Sequence, residues 1–195
     1  MLMLYIGIDI GLSGAIGVIN GLGNFVAVHD LPVMANGGGM KAVKNQINAA
    51  ELARILSPYR GAKILVEDVA AMPSDGRASI FSFGDSYGQV KGVLGTLDWP
   101  YALEKPNIWK PAMKLKNKKD KEFSRAAAIR AWPDAPLGRK KDHNRAEALL
   151  LAKYLLIMDP PVSRSVPRQI PSPPKTTGSH QPLPQTPELS THPQP

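Results

Sequence analysis

The sequence predicts an α/β domain, a mixed five-stranded sheet flanked by helices, followed by a proline-rich tail. Three observations carry that expectation. Three short β-rich runs open the chain and are separated only by tight-turn signals, as in an antiparallel meander. Two later strand-like runs are each reached through a helical pattern, as parallel strands require. From Asp159 onward the composition changes, with 11 of the chain's 19 prolines and almost no aliphatic clusters.

The strand runs are Leu4 to Ile10, Gly14 to Asn20 and Asn24 to Leu31, divided by the GLS and GLGN turns. A glycine-rich loop, MANGGGMK, leads to an amphipathic helix from Ala49 to Leu56, which Pro58 stops. AKILVED then reads as a buried strand ending in two acids. A helix over Arg77 to Leu97 carries Gly84, Gly88, Gly92 and Gly95 along one face. Each glycine costs about 1 kcal/mol of helix propensity, so the stripe implies a close backbone approach. Two partners remain open for it: the domain's own sheet, or a helix of a symmetry-related subunit. A strand at Tyr101 to Glu104, a basic stretch, a helix from Lys121 to Ala131 ended by Trp132-Pro133, and a helix from His143 to Met158 complete the domain. This order, β-β-β-α-β-α-β-α-α, is the RNase H-like arrangement. Residues 1–158 are expected to form the domain and residues 159–195 a disordered tail, because the tail's composition cannot bury enough surface to fold.

Composition narrows the function. The 195 residues carry 24 Lys and Arg against 16 Asp and Glu, a formal charge of +8. The basic residues cluster at Lys110, Lys114, Lys116, Lys118, Lys119 and Lys121, and again at Arg139 to Lys141. Such clustering points to a polyanion, most often nucleic acid. Cysteine is absent, which removes thiolate metal sites and thiol nucleophiles. No run approaches a membrane span of roughly 18 apolar residues, so a soluble, cytoplasmic protein with no membrane partner is expected.

The acids are informative by position. Asp9 interrupts an apolar, glycine-studded run, YIGIDIGLSGAIGVI, where an unpaired buried carboxylate would be costly. Glu67 ends the fourth strand, and Asp142 and Glu147 open the last helix in KKDHNRAEALLLAKY. If the first and fourth strands are neighbours, Asp9 and Glu67 meet at one end, where the last helix can bring Glu147 over them. Carboxylates gathered at one point repel unless a hard cation binds, and an oxygen-only set favours Mg²⁺ or Mn²⁺. His143 and Glu147 are four apart, about 40° around a helix, and share a face. Asp142 reads equally as a metal ligand or a helix cap. Asp68 points away from Glu67 by strand alternation and reads as structural.

GIDIGLSGAIGVI, LVEDV and DHNRAEALLLAKY, with WK and KDKEFSRAAAIRAWP between them, resemble the RuvC-type Holliday junction resolvases, especially their phage- or prophage-encoded forms. The resemblance runs from about residue 4 to 157 and omits the tail. Residue by residue, it implies that Asp9, Glu67 and Glu147 are active-site acids. The position three before Glu147, an acid or histidine in the family, is Asn144 here, which leaves Asp142 and His143 both as candidates for the fourth group. The resemblance implies a homodimer that nicks two opposing strands of a four-way DNA junction with Mg²⁺, or with Mn²⁺ as its substitute. His143 would position or deprotonate a water. The lysines from Lys110 to Lys121, with Arg145, would contact DNA. Phe81 and Phe83, near Tyr87, would either pack in the core or wedge against bases at the junction centre; Trp109 is similarly open.

Three other readings compete. Asp9-x-Gly-x-Ser-Gly also resembles the phosphate turn of actin-like kinases, which need a second such domain that this chain does not show. An architectural DNA-binding protein would explain the charge but leave Asp9 and Glu67 without a role. An RNase H-like nuclease acting on hybrids or other branched nucleic acids would use the same acids.

Overall fold

The computed structural model describes residues 2–36, 45–69, 76–115 and 121–159, without the side chain of Lys121. The chain divides into two compact units, Met1–Pro161 and Val162–Pro195, and the second lies outside the described residues, as does the expected disorder of the tail.

The meander forms as predicted. β1 (Leu4–Asp9), β2 (Ala15–Asn20) and β3 (Phe25–Asp30) pair antiparallel, with Asp9 opposite Ala15. The first turn depends on glycine twice: Gly11 has φ 148°, and a Cβ on Gly14 would lie 2.1 Å from the Asp9 carbonyl oxygen. β6 (Lys63–Glu67) lies parallel to β1, and β7 (Tyr101–Glu104) parallel to β6, giving the order β3-β2-β1-β6-β7.

Strand alternation divides the core into two layers. Ile6, Ile8, Ile16, Val18, Ile64 and Val66 face one way. They pack with α1 (Ala49–Leu56) and α2 (Arg77–Thr96), through Leu52, Leu56, Val90 and Leu94. α1 starts where Asn48 accepts a hydrogen bond from the Glu51 amide, a side-chain cap. Tyr5, Ile19 and Leu65 face the other way, toward α4 (Lys121–Ala131) and α5 (His143–Met158). Period-two alternation puts Gly7, Asp9, Gly17 and Glu67 on this second face.

α5 rests directly on that face because two strand positions have no side chain. A Cβ on Gly7 would sit 2.2 Å from the Ala148 carbonyl oxygen, and one on Gly17 would sit 2.4 Å from the Leu149 nitrogen. Ala146, Ala148 and Ala152 are fully buried from the helix side. The helix therefore approaches the strands backbone to backbone, and Glu147 comes with it.

The glycine stripe of α2 behaves in the opposite way. A Cβ at Gly84, Gly88, Gly92 or Gly95 would meet nothing within 4 Å, so the expected packing of the stripe on the domain's own sheet does not occur among the described residues. The buried face of α2 is Ser86, Val90, Val93 and Leu94 instead.

Two elements differ from the sequence reading. The segment read as a glycine-rich loop begins as a strand, β4 (Val33–Ala35), which pairs with β5 (Asn45–Ile47) in a separate two-stranded sheet. β4 is exposed along its whole length and offers no apolar alternation to detect. The basic stretch begins with a helix, α3 (Pro106–Ala112), whose start signal is a proline in its first turn. Beyond α5, Asp159, the first residue of the expected tail, is anchored by Lys63 Nζ at 2.6 Å and the Tyr5 hydroxyl at 2.6 Å.

Candidate active site

Asp9 and Glu67 are the last residues of two neighbouring parallel strands, so both stand at the same edge of the sheet and on the face that α5 covers. They are 9% and 5% exposed. The two carboxyls act on each other, and the Glu67 charge raises the Asp9 pKa. Burial, then the charges of Glu67 and Glu147, push Asp9 well above the usual carboxylate range. Burial likewise raises Glu67, against the opposing pull of Lys110. Glu147, in the second turn of α5, is the third acid of the group.

Side chains from α3 and α4 hold these acids. The fully buried Trp109 donates its indole N–H to Glu67 Oε1 at 3.0 Å. Lys110 Nζ donates to Glu147 Oε2 at 2.9 Å and lies 3.7 Å from Glu67 Oε1. Ser124 donates its hydroxyl to Glu147 Oε1 at 3.1 Å. Burial alone would lower the Lys110 pKa, but the charge and hydrogen bond of Glu147, with Glu67 and Asp9 behind them, outweigh it and raise the value. Sequence reasoning missed these roles. Lys110 is indistinguishable in sequence from the lysines after it, and the only signals for Trp109 and Ser124 are a Trp-Lys pair and a small polar residue in an alanine-rich helix.

The other predicted site residues are placed elsewhere. Asp142, 2% exposed, accepts from the Arg139 amide at 2.7 Å and from its guanidinium at 2.9 and 2.7 Å. Despite burial, those bonds lower its pKa. It closes a capping box on a 3-10 turn, Lys140–Asp142, ahead of α5. The cap reading is therefore the one the geometry follows, and the acids gathered with Asp9 among the described residues are Glu67 and Glu147. His143 places Nδ1 3.4 Å from the Lys140 carbonyl oxygen. Asn144 donates to the Ser13 carbonyl at 2.5 Å, tying α5 to the β1–β2 turn.

Arg145 forks onto Asp30 at 2.5 and 2.7 Å, bracing α5 against β3. Asp68 is structural, accepting from the Tyr87 hydroxyl at 2.8 Å; burial and that bond push Tyr87 up to about 12. Phe83 packs on the α1–α2 core layer and stacks on Tyr87, whereas Phe81 is 53% exposed. Lys114 follows α3 with φ 60°. Lys116, Lys118, Lys119 and the Lys121 side chain lie outside the described residues.

The acids fit a hard divalent cation in kind. They supply oxygen only, and burial together with the neighbouring carboxylate charges raises the pKa of Asp9 and Glu67 even with Lys110 present, a cost that a bound cation would relieve. Among the described residues no group of three or more His, Cys, Asp or Glu closes to a metal cage. The Lys110 ammonium stands against Glu67 and Glu147.

No protein-family model matches the chain, and no curated protein matches it in sequence. Solved structures do. Thermus thermophilus RuvC in complex with a Holliday junction substrate superposes with a TM-score of 0.57 at 16% identity, over 78% of this chain and 92% of that one. A second T. thermophilus RuvC structure is 20% identical, over 80% and 96%, with a TM-score of 0.49. The chain therefore has the RNase H-like fold of RuvC, with Asp9 and Glu67 buried at one edge of the sheet and the partly buried Glu147 beside them.

Proposed function

We propose that this chain is a metal-dependent endonuclease that resolves four-way DNA junctions by paired nicks in opposing strands, acting as a homodimer. The observation that carries the reading is the group of buried Asp9 and Glu67 with partly buried Glu147, assembled from two strand ends and a helix at a cost to stability that a structural role would not repay. The likeness to a RuvC bound to a Holliday junction supports the choice of substrate. The charge of +8 supports a nucleic-acid partner.

In this reading Asp9, Glu67 and Glu147 hold Mg²⁺, or Mn²⁺ in its place. When bound, the cation supplies an activated water and charge stabilisation at the phosphorus. Trp109 fixes the rotamer of Glu67, and Ser124 fixes that of Glu147. Basic residues around α3 and α4 track the phosphates, giving salt-sensitive affinity without sequence information. Phe81, exposed near the start of α2, would meet bases in this reading. The open glycine stripe of α2, beside Ala49, Ala50 and Ala53 of α1, is the surface for the second subunit.

The test offers the purified chain a synthetic four-way junction, a linear duplex and an RNA–DNA hybrid, each with Mg²⁺ or EDTA. Symmetric paired nicks in the junction alone, abolished by EDTA, are expected. Cleavage of the hybrid instead would assign an RNase H-like activity, and binding without cleavage of any substrate would assign an architectural role.

A further inference from the structure

The site contains a cation of its own. Lys110 Nζ lies 2.9 Å from Glu147 and 3.7 Å from Glu67, and its side chain is only 19% exposed. It is thus embedded between two of the acids that the proposed function assigns to a divalent cation. A carboxylate oxygen bound by an ammonium at hydrogen-bond distance has that lone pair occupied, and an ammonium and a dication on the same carboxylate repel. Lysine suits temporary occupancy, being a point charge on a flexible four-carbon stem without the fixed fork of arginine.

We infer that Lys110 and the divalent cation exchange at Glu147 and Glu67: the lysine holds the acids together before loading, and the arriving cation displaces its ammonium toward the mouth of the site. No bond is made or broken, and positive charge replaces positive charge. The displaced ammonium remains tethered to α3 beside the acids, where a substrate phosphate would be its next partner. Lys110 is then a positioning residue in the metal-free chain and a phosphate ligand in the loaded one. Its neighbour Trp109, whose ring lies 5.3 Å from the same Nζ, stays on Glu67 in both states.

This inference rests on the metal-site reading, and the experiment separates the two. The full chain, labelled with ¹⁵N, is titrated with Mg²⁺ in parallel by calorimetry and by NMR of lysine ammonium groups, which give resolved signals when held in ion pairs. The Lys110 signal is assigned by its loss in Lys110→Met and, should that variant fold poorly, in Lys110→Arg. The signal is expected without Mg²⁺ and should vanish or shift with the calorimetric midpoint. By linkage, Lys110→Met should bind Mg²⁺ about tenfold more tightly. A Lys110 signal unmoved at calorimetric saturation, or unchanged affinity in Lys110→Met, would overturn the exchange while leaving the metal site standing. Absence of any Mg²⁺ binding would overturn both.

Discussion

Gly7→Ala tests how the fold delivers Glu147 to the other acids. The added Cβ would lie 2.2 Å from the Ala148 carbonyl oxygen and 2.5 Å from the Ala152 nitrogen, where ordinary contact begins at 3.4 Å. Both obstacles are backbone of α5, so no side chain can rotate away. The helix must lift by about 1 Å from a close-packed sheet, an overpacking penalty of about 3 kcal/mol, at the upper end of the usual range. The entropy that alanine removes from the unfolded chain offsets at most about 1 kcal/mol of this. A net loss near 2 kcal/mol lowers the melting temperature of a domain this size by about 4 to 8 °C. Glu147 adjoins Ala148, so the same displacement moves it from Asp9 and Glu67, and a shift of about 1 Å at such a site costs on the order of 100-fold in rate. Thermal melts followed by circular dichroism, paired with junction cleavage below the melt, provide the assay. A Gly7→Ala chain that melts and cleaves like the parent would refute the backbone contact between α5 and β1.

Gly88→Ala should do the reverse: with nothing within 4 Å of the new Cβ, it should stabilise the dilute protein by up to about 1 kcal/mol, while weakening self-association measured by sedimentation if the stripe is the dimer contact. Trp109→Phe deletes one donor to a buried carboxylate, worth about 1.5 to 3 kcal/mol, and should slow cleavage at least about tenfold while junction affinity holds; equal loss of both would make Trp109 a packing residue only. Asp9 and Glu67 bind protons more tightly folded than unfolded. Their contribution to stability is therefore fully present below the ordinary carboxylate range and is lost as pH rises through their raised values. In EDTA the chain should melt higher at about pH 5 than at about pH 8, and Asp9→Asn should raise the melt at the higher pH; a flat profile in the parent chain would contradict the raised values.

The acids were legible in sequence where local pattern exposed a conflict. Asp9 breaks an apolar strand, Glu67 ends another, and Glu147 sits among buried alanines and leucines, so each announced a burial cost. Asp142 gave no such signal, because a cap and a ligand look alike until Arg139 folds back onto it. The glycines show the limit most clearly. Regular spacing drew attention to the α2 stripe, yet the close approaches are at Gly7 and Gly17, whose meaning depends on a helix more than 130 residues away. Lys110 was hidden for the same reason: a run of lysines reads as one phosphate-binding surface, and only the packing of α3 against α5 shows that this lysine turns inward onto Glu147. Local chemistry is written in local sequence, whereas partners brought together by topology are not.

The central claim is that Asp9, Glu67 and Glu147 perform cleavage rather than support the fold. Asp9→Asn, Glu67→Gln and Glu147→Gln, with Asp142→Asn as the comparison, should be measured for junction binding and Mg²⁺-dependent nicking on the same samples. The account predicts that the three site variants remain folded and bind the junction within about threefold of the parent chain, well under the 1.4 kcal/mol that a tenfold change represents. Their nicking should disappear, while Asp142→Asn loses stability but keeps cleaving. Persistent nicking by Asp9→Asn would contradict it.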